Sequence, residues 1–397
     1  ARHEVYKKFN QLYYEQAPGI PVVLATSHGY EQKWVEGRVM NPIFSNIYYY
    51  PISKPSDPVD PDVFTYVTIA GGPDTLDPAL SYDTASGEVI QNIYETLVFY
   101  DGEATDKFVP QLAESWTTSD DGTVWTFTIR KDVKFHEGGD LTASDVAYSY
   151  ARGLLQGGYS SPQWLLAEPF LGVGLDDITG IVDDFASADS RETLVANAPA
   201  VLKAACETVT SKIVADDEAG TVTMTLAQPW GPFLATIANG WGSIMDKEWV
   251  IENGGWDGTC DTWQNFYGMT SAEDPFTPIA NGTGPFKLDY WTPGTEVSLV
   301  RNDDYWREPA ALEQVLIVEV GEFGTRFAML QAGDADAIVV PAEYRTQVDP
   351  LVGVARIYDE ATNTYLPEQS VCSVDTEKLG IERFELCDTA NDNPLRL

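Results

Sequence analysis

Apolar positions along the chain fall into short alternating runs and helical stripes, one kind following the other. Residues 2–16, RHEVYKKFNQLYYEQ, set Val5, Phe9, Leu12 and Tyr13 at helical spacing, and Ala17-Pro18-Gly19 ends that helix. IPVVLAT (20–26) reads as a short apolar strand, and IFSNIYYY (43–50) as an aromatic strand-like stretch after the Asn41-Pro42 turn. VFTYVTIA (63–70), VWTFTIR (124–130) and TVTMTL (221–226) alternate as half-buried strands, while Val89, Ile90, Ile93, Tyr94, Leu97 and Val98 mark one helix face. Thr142 and Asp145 form a capping-box pattern at the head of a further helix. ANGTGPFKLDYW and EVSLVRNDDYW predict two strands around a turn at Pro293-Gly294; ALEQVLIVEV predicts a strand, FGTRFAMLQAG a helix ended by Gly333, and DADAIVV a buried strand. Mixed strands and helices with short loops predict an α/β or α+β fold with several sheets.

One stretch breaks the pattern. Pro51, Pro55, Pro58 and Pro61 are separated by Ser, Asp and Lys, and proline both fixes φ and removes a backbone donor, so this stretch reads as an extended linker. Charge shifts at the same place. Residues 1–54 hold six Lys/Arg and four Asp/Glu, whereas the whole chain of 397 residues carries a net charge of −37, so the acidity lies beyond Lys54. Such a surface excludes a phosphate backbone as partner and disfavours anionic lipid. No run of about 18 apolar residues predicts a membrane span. The chain begins with Ala1, and any export signal or lipid anchor would lie upstream. Cys206, Cys260, Cys372 and Cys387 form no CxxC motif; their even number fits an exported protein, and nearness in sequence favours Cys206–Cys260 and Cys372–Cys387 among the three possible connectivities.

The residues give little for an enzyme. His3, His28 and His136 are scattered, and no zinc motif, GxSxG elbow or phosphate loop occurs. NGTGPF (281–286) leads into a strand and lacks the Lys-Ser/Thr of a phosphate loop; the aspartates of DADAIVV suit a helix-to-strand turn; His136 reads as a loop residue. No metal site and no cofactor is expected. The informative excess is aromatic: 11 Trp, 20 Tyr and 16 Phe, with Tyr82, Tyr159, Trp164, Trp230 and Trp241 near glycines or in loops, a composition that suits a binding cleft as well as a packed core.

Four stretches in order resemble one family. GGPDTLDPAL with NIYETLVFYD, then FVPQLAESWTTSDDGTVWTFTIRKDVKFHEGGDLTASDVAYSYARGL, then IANGTGPFKLDYWTPGTEVSLVRNDDYW, then FGTRFAMLQAGDADAIVVP are similar to the family 5 extracellular solute-binding proteins, the dipeptide, oligopeptide and nickel-type receptors of ABC importers. Residues 1–54 resemble the far end of the same family: a helix, QAPGIPVVL, then VEGRVMNPIF. A tail preceding a beginning is compatible with a tandem fusion or a circular permutation; a fragment joining the tail of one copy to the start of another is favoured.

The resemblance implies lobes of the periplasmic-binding-protein type, class II, with the second large lobe mostly missing. It divides the chain into a tail-like segment (1–54), a linker (55–61), a first part of lobe I (62–103), a family-specific extra domain (104–215), a second part of lobe I (216–360) and a crossover toward the truncated lobe (361–397). It further implies a monomeric, non-enzymatic receptor outside the cytoplasm, periplasmic or extracellular. Such a receptor would close on a peptide or other small solute and hand it to permease subunits; a sugar, a nickel chelate or a sensory partner is the first alternative, and a secreted hydrolase the last. By motif order it carries ligand contacts onto Tyr82, Asp83, Thr84 and Ala85, with Tyr159, Trp164 and Trp241 as further walls. In peptide receptors the carboxylate that meets the ligand's amino terminus belongs to the missing lobe.

Overall fold

In the computed structural model, residues 2–19, 28–156, 161–172, 190–359, 364–370 and 393–397 are described, with isolated positions 178, 182 and 362. The chain builds a nine-stranded mixed sheet around Val63–Thr68. Gln314–Glu319 and Ala337–Ile338 flank that strand, both parallel to it. Beyond Gln314–Glu319 lies the antiparallel hairpin of Glu296–Arg301 and Phe286–Thr292, as the turn at Pro293-Gly294 predicts. The side-chain period of two sends Phe64 and Tyr66 to one face and Val67 to the other. Phe64 and Tyr66 share a core with Val89, Ile90 and Ile93 of the helix Thr84–Ile93. Val67 packs with Phe323 and Leu330 of the helix Phe323–Ala332. The sheet is thus covered on both faces, the α/β arrangement that the pattern predicts. Fully burying a side chain such as Phe64 contributes about 1.5–3 kcal/mol.

The helix Thr84–Ile93 begins where Asp83 accepts the Ser86 amide at 2.7 Å. The expected apolar stripe runs on to Val98, but the helix stops at Ile93, and Tyr94 is extended. Val98 belongs to the strand Val98–Tyr100 instead. The reason lies in NGTGPF: a Cβ on Gly284 would stand 2.6 Å from the Ile93 carbonyl, and one on Gly282 2.1 Å away. The Gly284 amide donates to that carbonyl at 2.8 Å, so the glycines let another strand of chain satisfy the helix end. Past the stop, buried Glu95 accepts from Trp306, Tyr305, Thr283 and Gln111.

A second sheet is wholly antiparallel, ordered Ala113–Thr118, Val124–Ile129, Thr221–Thr225, Ile213–Asp216. The helix Ala143–Gln156 covers it, opened by the expected reciprocal pair of Thr142 and Asp145. Cys206 of the helix Pro199–Ser211 is bonded to Cys260, as nearness predicts; Cys372 and Cys387 lie outside the described residues, as does the stretch 20–26.

The first 54 residues contribute to this body. The helix Arg2–Gln16 forms as expected and is exposed from residue 3 to residue 16. Tyr30–Gln32 then enters the large sheet, antiparallel to Ala337–Ile338 on one side and to Leu395–Arg396 on the other. Residues 43–50 do not form the expected strand. Side-chain amides of the helix Thr84–Ile93 take the place of a ladder: Gln91 and Asn92 donate to the Ile47 carbonyl at 3.0 and 2.9 Å, and Asn92 accepts the Tyr49 amide at 2.8 Å. Lys54 is buried between Asp57 and Asp336, at 2.7 and 3.0 Å, so the proline-rich stretch is anchored at its start. Asp336 also accepts Trp34 Nε1 and the Thr65 amide; it sits in the expected helix-to-strand turn, but its carboxylate serves long-range ties rather than the turn itself.

Candidate functional site

Parallel strands direct their carboxyl ends to one edge of a sheet, and the crevice beyond that edge is where open α/β sheets hold ligands. Here Val63–Thr68 and Gln314–Glu319 end side by side, and the loop 69–73 leaves that edge. Between it and the first turn of the helix Thr84–Ile93 lies a cleft of about 270 Å³. Val89, Val297, Ile317 and Val339 give it apolar walls; Asn46, Tyr66, Thr84, Glu88 and Glu319 give it polar groups. The loop is drawn in tightly, with the Gly71 amide donating to Glu319 Oε2 at 3.0 Å. A Cβ on Gly72 would stand 2.1 Å from Glu319 Oε1, so a side chain there would push the Glu319 carboxylate aside.

The floor is a polar cluster. Glu88 is 3% exposed and accepts Tyr49 Oη at 2.6 Å and Asn46 Nδ2 at 2.7 Å. Asn46 Nδ2 also lies 3.2 Å from Tyr66 Oη. Burial pushes the Glu88 carboxyl up to about 7, partly offset by the bonds from Tyr49 and Asn46. Burial likewise raises the phenols of Tyr49 and Tyr66. Asn46 holds a left-handed backbone, φ 78°, a conformation that non-glycine residues adopt at a cost and that Asn tolerates better than most.

The sequence-expected residues divide into two neighbouring groups. Thr84 and Ala85 line the cleft. Asp83, between the groups, spends its carboxylate on the helix N-terminus. Tyr82 is exposed, and its hydroxyl accepts Trp164 Nε1 at 3.3 Å. Trp241 is half-buried, with Nε1 donating to the Thr236 carbonyl at 2.6 Å. Gln163 Nε2 reaches the carbonyls of Pro78 and Trp241, each at 3.4 Å, which brings the Tyr82 and Trp241 segments to one neighbourhood. Tyr159 lies outside the described residues. Sequence reasoning missed Glu88, Asn46, Tyr66 and Glu319. The available signal was Glu88 itself, a carboxylate on the helical turn that also bears Val89, Ile90 and Asn92.

Two other groups invite chemistry. His136 is pinned, Nε2 lying 2.9 Å from the Gly284 carbonyl, and burial lowers its pKa to about 4. Carboxylates of Asp145, Asp246 and Glu248 come within 4.8 Å of one another. Asp145 already accepts from Thr142 and the Lys247 amide, and Asp246 from the Trp249 amide, so both buried members act as helix caps.

The model of the bacterial extracellular solute-binding proteins, family 5, matches residues 107–367, and the chain belongs to that family. A probable D,D-dipeptide-binding periplasmic protein of Escherichia coli K12 is 31% identical over 80% of this chain and 51% of its own length. Heme-binding protein A of Haemophilus influenzae is 29% identical over 70% of this chain and 44% of its own. The chain thus spans about half the length of these relatives. Among solved structures, an ABC transporter-associated periplasmic binding protein of Helicobacter pylori, in complex with the peptide STSA, superposes with a TM-score of 0.52 at 24% identity. It covers 74% of this chain and 50% of that one. The fold is therefore that of the periplasmic binding proteins.

Proposed function

We propose, taking membership of the family 5 solute-binding proteins as the premise, that this chain is part of the substrate-binding component of an ABC importer, a receptor that captures a peptide-like solute outside the cytoplasm and presents it to a membrane permease. The observation that carries the reading is the cleft at the carboxyl edge of the parallel strands, lined by Thr84 and Ala85 on a chain of this family. Grip comes from shape, apolar contact and a few polar groups, and no bond is rearranged. Tyr82, Trp164 and Trp241 extend the wall, and Tyr159 belongs to the same proposal. Closure of a second lobe over this surface would complete the contacts, as hinge closure does in binding proteins generally. A monomer in the periplasm or at the cell surface fits this role, and the Cys206–Cys260 bond fits an oxidising compartment. Among the described residues no helix is long and apolar enough to cross a membrane.

Native mass spectrometry of the chain against a panel of di- to tetrapeptides tests the reading. Retention of a peptide, with loss of retention on widening Ala85 to Trp, is expected; a chain that hydrolyses the panel, or retains none of it, refutes it. The relative whose name says heme makes a non-peptide solute the second reading, decided by including such solutes as competitors.

A further inference from the structure

The cleft has an unusual charge content for a binding site on a polar solute. Among the described residues its lining holds two carboxylates, Glu88 and Glu319, and no Lys, Arg or His. Glu88 is buried, yet among the described residues no cation pairs with it: Arg38, whose charge acts on it from nearby, makes its ion pair with Glu31 at 2.8 Å. A buried carboxylate without a cation is an expensive arrangement, which a fold retains more readily where something else supplies the charge. A carboxylate has about four acceptor positions. Tyr49 and Asn46 donate to Glu88, and the Ile47 amide also acts on it. Acceptor capacity remains on a group that lines the cleft. The surroundings of that space are aliphatic, from Val89, Val297, Ile317 and Val339.

An anion entering here would meet two like charges in a low-dielectric wall, whereas a cation would be drawn in, helped by a net charge of −37 over the whole chain. We propose that this cleft receives an organic cation, an ammonium or guanidinium group on a short aliphatic body, with Glu88 as its carboxylate partner and Glu319 as the charged rim. The inference rests on the solute-receptor reading and narrows it to amine-bearing solutes. It also assigns to this lobe a carboxylate anchor that the family resemblance places elsewhere. Asn46 and Tyr49 position Glu88 and do not themselves meet the solute's charge.

The test uses the 397-residue chain with three probes of one shape: n-hexylammonium, hexanol and hexanoate. Methyl NMR signals of Val89, Val297, Ile317 and Val339 report occupancy. The groups facing Glu88 are Tyr49, Tyr66, Arg38 and, across the cleft, Glu319. Burial keeps both phenols protonated and Arg38 stays charged. With the Glu88 carboxyl at about 7, its ionised fraction rises about tenfold between pH 6 and pH 8. Hexylammonium is therefore expected to bind about tenfold more tightly at pH 8 than at pH 6, and more tightly than hexanol, with hexanoate silent. Glu88→Gln abolishes the pH dependence, and Glu319→Gln leaves it in place. The wild-type pH series stands by itself if Glu88→Gln fails to fold. Equal shifts from hexanoate, silence of hexylammonium, or an unchanged pH series in a folded Glu88→Gln chain overturns the proposal. A peptide panel run alongside separates the two readings. Peptide binding with hexylammonium silent removes the cation site and leaves the receptor; hexylammonium binding with no peptide retained leaves the cation site and removes the peptide receptor.

Discussion

Arg152 and Asp77 offer the sharpest test of how the candidate site is held. Both are buried, 4% and 0% exposed, and the guanidinium meets the carboxylate twice, Nη1 to Oδ1 at 2.7 Å and Nη2 to Oδ2 at 2.5 Å. Asp77 also accepts the Ala79 amide at 2.9 Å, and its carbonyl accepts the amides of Leu80 and Ser81. The ion pair therefore fixes the Leu-Asp-Pro turn that delivers Tyr82–Ala85. A third acid, Asp274, stands close, its carboxyl raised by burial and by the charge of Asp77. Changing Arg152 to Met keeps the volume and strands Asp77. Two charge-assisted bonds at roughly 1.5–3 kcal/mol each give about 3–6 kcal/mol, in line with the roughly 3–5 kcal/mol typical of breaking one side of a buried pair. Adding Asp77→Asn removes the stranded charge and keeps an oxygen for the Ala79 amide, so the double variant should recover most of the loss. Urea unfolding of the four proteins of the cycle measures this. The Arg152→Met deficit should also shrink in acid, because an unpaired buried carboxyl has a raised folded-state pKa and stops opposing folding once protonated. A single variant that costs under about 1 kcal/mol, or a double variant no better than the single, refutes the reasoning.

Glu88→Gln should change the slope of stability with pH: the carboxyl is raised from 4.5 to about 7 in the fold, so wild-type stability falls as pH rises through that window, by roughly 3 kcal/mol, and the variant lacks the fall. His136 works in the opposite sense. Its pKa drops from 6.5 to about 4 on burial, so stability is lost as pH falls through that interval, and His136→Gln, which keeps a donor for the Gly284 carbonyl, should flatten that limb of the urea-midpoint profile. Removing the Cys206–Cys260 bond, which spans 54 residues, is expected to lower stability by about 4 kcal/mol on the chain-entropy account, read by unfolding of Cys206→Ser/Cys260→Ser. Gly284→Ala should cost several kcal/mol, because the new methyl overlaps the Ile93 carbonyl and a buried backbone cannot readily yield; a melting temperature equal to wild type would exclude that overlap.

Periodicity made the framework legible because the forces behind it are local. The hairpin around Pro293-Gly294 and the helix closed by Gly333 depend on turn chemistry, alternation and capping within a few residues, and they formed where the pattern put them. The failures share a non-local cause. The stripe from Val89 to Val98 did not remain helical because Gly282 and Gly284, far along the chain, lie against Ile93. The aromatic run 43–50 did not become a strand because Gln91 and Asn92 satisfied its backbone first. The site was half legible for the same reason. Thr84 and Ala85 follow a recognisable turn, and Asp83 follows it too but serves as a cap, since Ser, Thr, Asn and Asp in that position answer the helix before they answer a ligand. Glu88 could not be read as part of a cleft at all. What makes it one is Asn46 and Tyr49, 42 and 39 residues before it, on a segment that sequence assigns to a different end of the family. That segment enters the large sheet as Tyr30–Gln32 and is locked by Lys54 against Asp336, a residue that also holds the Thr65 amide of the central strand. The cleft's floor and the sheet beneath it therefore depend on the same docking, and a change that loosens residues 30–54 should reach Glu88 through Asn46 before it reaches the walls.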